Sequence, residues 1–154
     1  ICLSTCPEGA IKEVGESMQK KQDDFAAHRG VWVFAEQRDG RVARVGIELL
    51  GAGRKLADKR GCLLSAVLLG ADRKEAEELI RWGADTVYLA PAEDLRQFND
   101  EPYASVLTSL IKKHKPEIVL AGATPIGRSF IPRVAARLST GLTADCTALD
   151  IDED

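Results

Sequence analysis

The chain is expected to fold as one α/β domain, a mainly parallel sheet with helices on both faces, and three observations predict this. Short apolar runs recur at Val31–Glu36, Cys62–Leu69, Thr86–Ala90 and Ile118–Ala121. Between them lie segments with helical spacing and helix punctuation, the alternation that yields right-handed crossovers between parallel strands. A glycine-rich turn, Leu120–Ser129, then follows the fourth run, at the carboxyl end of a strand, where open parallel sheets place their sites. With 154 residues, one core is expected.

In chain order, Ala10–His28 is polar and helix-compatible and reads as a linker helix closed by Gly30. Val31–Glu36 is an apolar strand, and Arg38-Asp39-Gly40 is the turn that reverses it. Val42–Ile47 either pairs with that strand or leads into a helix over Leu49–Lys59, which carries Leu50, Leu56 and Ala57 at helical spacing and stops at Gly61. Cys62–Leu69 is almost unbroken in its apolarity, the pattern of a central strand covered on both faces. Asp72-Arg-Lys-Glu75 spells a capping box, with Asp72 accepting from free amides and Glu75 reaching back, and Gly83 ends that helix.

Thr86–Ala90 reads as a further short buried strand. After the polar stretch Pro91–Glu101, a helix starts at Pro102 and runs to Lys115. Its Lys112, Lys113, His114 and Lys115 complement the helix dipole. Beyond the glycine turn, Ile131, Val134, Ala135 and Leu138 have core spacing. Pro132 is tolerated in a first turn or at a kink, which Ser129 as the cap would satisfy. Thr147–Ile151 is expected to be the last strand.

Gly122, Gly127, Arg128 and Ser129 read G-x-x-x-x-G-R-S, one residue away from a phosphate loop. An arginine in place of that loop's lysine is planar and bidentate rather than a compact charge, and Pro125 removes one amide. The turn also follows the fourth strand-like run. These features exclude a nucleotide hydrolase and leave a loop facing a nucleotide or a partner. Arg128 either contacts a phosphate or a partner or is simply solvated. Thr124 and Ser129 suit helix caps better than ligands. Asp145, after Gly141-Leu142-Thr143-Ala144, either orients an interface loop or stabilises its own turn.

The net charge of −3, with basic residues scattered, provides no broad field for nucleic acid. No apolar run approaches the length needed to cross a bilayer. His28 and His114 lack partners at ligand or acid–base spacing, and no Ser-His-Asp order or paired carboxylate stands out, so no catalysis is expected. Cys62 and Cys146 sit in strand-like contexts as small core residues. Cys2 and Cys6 differ: C-L-S-T-C-P matches the C-x-x-x-C-P tail of the bacterial ferredoxin cluster run. As metal ligands they would need further cysteines upstream to complete an iron–sulfur centre. The chain begins at Ile1 and ends in I-D-E-D, and both ends are expected to be cut.

Gly122–Thr147, G-A-T-P-I-G-R-S-F-I-P-R-V-A-A-R-L-S-T-G-L-T-A-D-C-T, closely resembles the amino-terminal domain of electron-transfer flavoprotein α subunits. The opening V-W-V-F-A-E and the L-G-x-G-R-x-L-A stretch at Leu50–Ala57 extend the resemblance over about Gly30–Asp154. It implies an adenine-nucleotide α-hydrolase-like (Rossmann-like) sheet and a β subunit as partner. It also implies FAD held chiefly on a second domain absent from this chain, and service to acyl-CoA or other dehydrogenases in a bacterial or archaeal cytoplasm. It further implies that the β subunit uses the corresponding loop for AMP or a second FAD, while the α-subunit loop is generally unoccupied. Cys2–Ile11 resembles the end of a ferredoxin-like segment that precedes some α subunits, which divides the chain into residues 1–29 and 30–154. The alternative is a free-standing ATP- or AMP-binding module of the same fold.

Overall fold

The computed structural model describes residues 27–151. Cys2 and Cys6 lie outside them, as does the expected linker helix save Ala27 and His28, which are not helical. The elements are β1 (Val31–Ala35), β2 (Gln37–Arg38), β3 (Arg41–Val42), α1 (Arg44–Arg60), β4 (Leu64–Leu69), α2 (Arg73–Arg81), β5 (Thr86–Ala90), a 3-10 turn (Glu93–Leu95), α3 (Asp100–His114), β6 (Ile118–Leu120) and α4 (Pro125–Leu138). Four strands form one parallel sheet in the order β5-β4-β1-β6, and β2 and β3 form a small antiparallel hairpin. In the register, Val31 sits opposite both Leu64 and Ile118, and Leu69 opposite Ala90.

Side-chain alternation along β1 assigns the two faces. Val31, Val33 and Ala35 pack with Leu50, Leu56 and Ala57 of α1 and with Ala76 and Leu79 of α2. Trp32 and Phe34 face Tyr103, Leu107 and Ile111 of α3 and Phe130 and Val134 of α4. Helices thus cover both faces, as the unbroken apolar runs of β1 and β4 require. Helix α1 lies close to the sheet because Gly53 stands where a Cβ would come within 2.8 Å of the Leu64 side chain.

Several expectations change at the element ends. Strand β4 begins at Leu64, because Cys62 and Leu63 still belong to the turn that follows the Gly61 cap, where the Cys62 amide donates to the Ala57 carbonyl. Strand β5 is only half-buried, being the edge of the sheet. Helix α1 starts at Arg44, directly after the hairpin, so Val42 pairs with Gln37 of β2 rather than with β1, and residues 44–47 form the first helical turn. Helix α3 starts at Asp100 under an Asn99 cap, which leaves Pro102 inside the first turn. Asp72 caps α2 as expected, accepting from the Glu75 amide at 3.1 Å. The Glu75 carboxylate does not reach back; its Oε2 accepts from the Val42 amide at 2.8 Å and ties the hairpin to α2.

No strand forms over Thr147–Ile151, and Cys146 is exposed rather than in the core. Three anchors explain the path taken instead. The Thr140 amide donates to Ala135 at the end of α4, Asp145 pairs with Arg128 in its first turn, and Asp150 pairs with Lys59 in the last turn of α1. The segment therefore climbs the height of α4, about 16 Å from Arg128 to Ser139, and descends again. At about 3.3 Å per extended residue, the stretch from Thr140 to Asp145 can just cover that height, and the chain then bends at Asp145, whose φ is 54°. It becomes an extended strap held by ion pairs, and Ile151 tucks against the α1 face of the core.

Asp85 ties the amino ends of β4 and β5 to α1. It accepts from the Leu64 amide at 2.8 Å and pairs with Arg54 at 2.9 Å. Burial alone would raise its pKa, but the Leu64 amide and the Arg54 guanidinium outweigh it and hold the carboxyl below the ordinary 3.8. A depressed folded-state pKa contributes stability that is present above the unfolded value and is lost as pH falls through the folded one. The urea midpoint is therefore expected to fall below pH 3.8 more steeply in the natural chain than in Asp85→Asn. Parallel acid limbs in the two proteins would refute this.

Candidate functional site

The chain moves outward from β1 to β4 and β5, and α3 then carries it back across to β6 on the other side of β1. The strand order therefore reverses between β1 and β6. A crevice at the carboxyl ends there is where a doubly wound sheet seats a ligand. The residues after β1, Glu36 to Arg38, and those after β6, Ala121 to Thr124, meet at this switch point, where Thr124 bonds Glu36.

The glycine turn folds tightly over the start of α4. Thr124 is the helix cap, its Oγ1 accepting from the Gly127 amide at 3.1 Å, and Pro125 occupies the first helical position. This corrects the expectation that Ser129 caps the helix. Ser129 is an exposed residue within α4, and Pro132 lies in the helix interior, where it removes the bond to the Arg128 carbonyl. The two glycines hold the turn closed. A Cβ on Gly127 would lie 1.9 Å from the Gly122 carbonyl oxygen, and one on Gly122 would lie 2.8 Å from the Val45 side chain of α1.

Arg128 and Asp145 come together across the strap. Arg128 Nη2 donates to Asp145 Oδ1 at 2.7 Å, and its Nε folds back onto the Ala123 carbonyl at 3.0 Å. Both side chains are otherwise exposed. Of the expected site residues, the fold thus gathers Gly122, Thr124, Gly127, Arg128 and Asp145, and turns Ser129 outward.

The sequence reading missed two residues at the centre of this arrangement. Glu36 is 3% exposed, and its carboxylate accepts from Thr124 Oγ1 at 2.5 Å on one oxygen and from the Arg38 guanidinium at 3.1 and 3.2 Å on the other. Gln37, also buried, donates from Nε2 to the carbonyls of Leu95 and Arg96 and to the Tyr103 hydroxyl at 2.8 Å. Tyr103 in turn donates to Leu95 at 2.6 Å. Burial raises the Tyr103 pKa; the Gln37 bond opposes this and the nearby Glu36 charge adds to it. The available signal was polar residues abutting the apolar run of β1.

His28 lines a shallow depression with Arg29, Arg60, Cys62 and Glu117 at the opposite, amino end of the sheet. His114 packs its ring on Tyr88, 4.6 Å between centroids, at the end of α3. Among the described residues there is no group of three His, Cys, Asp or Glu side chains placed to hold a metal ion. No helix among them is long and apolar enough to cross a membrane.

Comparison with known proteins bears on the same region. The family model described as the electron transfer flavoprotein domain matches residues 31–154. The chain is 55% identical over 128 residues to the electron transfer flavoprotein subunit alpha of Clostridium acetobutylicum, covering 82% of this chain and 38% of that protein. It is 49% identical over 130 residues to the acryloyl-CoA reductase electron transfer subunit beta of Anaerotignum propionicum, covering 84% of this chain and 35% of that protein. To the lactate dehydrogenase (NAD(+),ferredoxin) subunit LctC of Acetobacterium woodii it is 42% identical over 154 residues, covering 99% of this chain and 36% of that protein. The chain spans less than half the length of each of these relatives. A four-stranded parallel sheet closed by the Gly122–Asp145 turn and strap, and a family match running through all of it, lead to one conclusion: the chain belongs to the electron transfer flavoprotein domain family.

Proposed function

We propose that this chain is the amino-terminal α/β domain of an electron-transfer flavoprotein α subunit, and that its work is assembly rather than chemistry. The observation that carries the reading is the family match over residues 31–154, joined by relatives named as electron transfer subunits. In this reading FAD is bound chiefly by a second domain outside this chain, and a β subunit is the partner. The whole protein passes electrons between acyl-CoA or other dehydrogenases and an acceptor in the cytoplasm. The domain spans residues 30–154, and residues 1–29 close a ferredoxin-like segment in which Cys2 and Cys6 ligate an iron–sulfur cluster with cysteines upstream. The C-x-x-x-C-P spacing of Cys2, Cys6 and Pro7 is what supports this assignment. The rival, a free-standing nucleotide module, has no such support.

The Arg128–Asp145 pair supplies the partner-facing feature. It is exposed, charged on both sides, and seated on a strap whose apolar Leu142 and Leu149 face solvent. Asp145→Arg is expected to weaken co-purification of the β subunit about tenfold, since like charges then face each other and the strap loses an anchor. Undiminished recovery would remove the pair from the interface.

The overall reading is tested by an anaerobic ultraviolet–visible spectrum, with flavin and iron assays, of the full-length protein co-expressed with its β subunit. Flavin bands are expected, with a broad iron–sulfur shoulder. Flavin without iron would reduce Cys2 and Cys6 to a remnant, and a colourless complex would overturn the proposal.

A further inference from the structure

We infer that the buried carboxylate of Glu36 is an internal anion that occupies the switch-point crevice in place of a phosphate, and that this residue decides that the domain takes no nucleotide there. Its position comes first. Glu36 directly follows β1 and meets the cap of α4 across the place where the strand order reverses, so it stands where a doubly wound sheet brings a phosphate to a helix amino terminus.

The second line is the fate of the donors. In a phosphate-binding turn the helix-start amides, a hydroxyl and a cationic side chain converge on the ligand. Here the Gly127 and Arg128 amides, the hydroxyl and the cations are engaged within the chain. The Gly127 amide donates to Thr124 Oγ1, the Arg128 amide to the Thr124 carbonyl, and Thr124 Oγ1 itself to Glu36. Arg38 places two guanidinium nitrogens on the other Glu36 oxygen. Arg128, the residue in the lysine position of a phosphate loop, is turned away onto Ala123 and Asp145.

The third line is the chemistry of the substitution. Carboxylate and phosphate accept from the same donors, and Arg38 with Thr124 would suit either. A carboxylate that is 3% exposed cannot move aside into water without breaking three hydrogen bonds. An incoming phosphate would meet a fixed, buried like charge, the arrangement that excludes a ligand by repulsion rather than by bulk alone.

The test uses the full-length protein in complex with its β subunit, radiolabelled AMP, and an azido-adenine nucleotide for photocrosslinking. Because the partner can carry AMP of its own, the readout is the nucleotide gained by a variant over the natural complex, and its location on the peptide Ala121–Arg133. Glu36→Ala is expected to gain one AMP per complex, crosslinked to that peptide and displaced by inorganic phosphate, while the natural protein shows no crosslink there. Glu36→Gln keeps the volume and removes the charge, so it retains the fold should Glu36→Ala lose it. It is expected to gain saturable crosslinking at that peptide, where the natural protein gives none. Saturable crosslinking of the natural protein at Ala121–Arg133 would overturn the inference, as would a folded Glu36→Gln variant without a gain. Flavin content, which tests the electron-transfer reading, does not enter this result.

Discussion

Gly127→Ala is expected to destabilise the domain by about 3 kcal/mol, the upper end of the overpacking range, because the position has no room to relax. The added methyl would start 1.9 Å from the Gly122 carbonyl oxygen, so either the turn or the helix must give way. Neither is free to do so. There is little room beside Gly122, where even a Cβ would lie 2.8 Å from the Val45 side chain of α1, and α4 is pinned one turn later by Phe130, which is fully buried between the sheet and α3. The measurement is the urea midpoint at an unchanged denaturant slope, which separates a loss of stability from a change in the unfolded state. A shift below about 0.5 kcal/mol, the usual scale of surface substitutions, would show that the turn yields freely. Because Thr124 reaches Glu36 only while the turn is closed, the same variant is expected to loosen that contact.

Phe34→Ala is expected to cost more, about 3–5 kcal/mol, the range for deleting a buried aromatic from a close-packed core. Phe34 projects from the middle of the sheet and meets Phe130 edge-on at 4.9 Å and Tyr103 at 6.2 Å between ring centroids. It is the common support of α3 and α4, and so of both segments that reach the crevice, through Tyr103 and Thr124. Phe34→Leu refills most of the volume and should cost less than about 1.5 kcal/mol. A double-mutant cycle with Phe130→Leu should return a coupling of about 0.5–1.5 kcal/mol for the edge-to-face pair. Additive effects would mean that the two rings are neighbours without interacting.

The two variants probe parts of the molecule that differ in how they could be read from the chain. Phe34 belongs to V-W-V-F-A-E, where six successive residues are buried, so a strand covered on both faces follows from composition alone. The Asp72 cap is equally local, since the acceptor and its amide are three residues apart. The choice between Thr124 and Ser129 as the cap of α4 was not local in the same sense. Both residue types cap helices, and what decides between them is Glu36, 88 positions away, which accepts a hydrogen bond from the Thr124 hydroxyl and fixes its rotamer. Glu75 shows the same effect in reverse. Its spacing fits a capping box, but the Val42 amide of the hairpin offers a better partner than the Asp72 amide.

The strap shows where an apolar, strand-like sequence misleads. Thr147–Ile151 has the composition of a strand, but a strand is a relation between two chains, and none of the described residues pairs with it. Its ion pairs with Arg128 and Lys59 set its path instead.

Sequence by itself determined the α/β class, the parallel sheet, the coverage of both faces and the family, because apolar periodicity, turn residues and motif spacing act over a few neighbouring positions. Only the tertiary structure decided that Glu36 meets Thr124 and Arg38, that Arg128 meets Asp145, and that the segment after α4 runs as a strap. Each of those depends on which distant partner competes best for a buried donor or an exposed charge, and that competition is settled only when strands far apart in the chain are brought side by side.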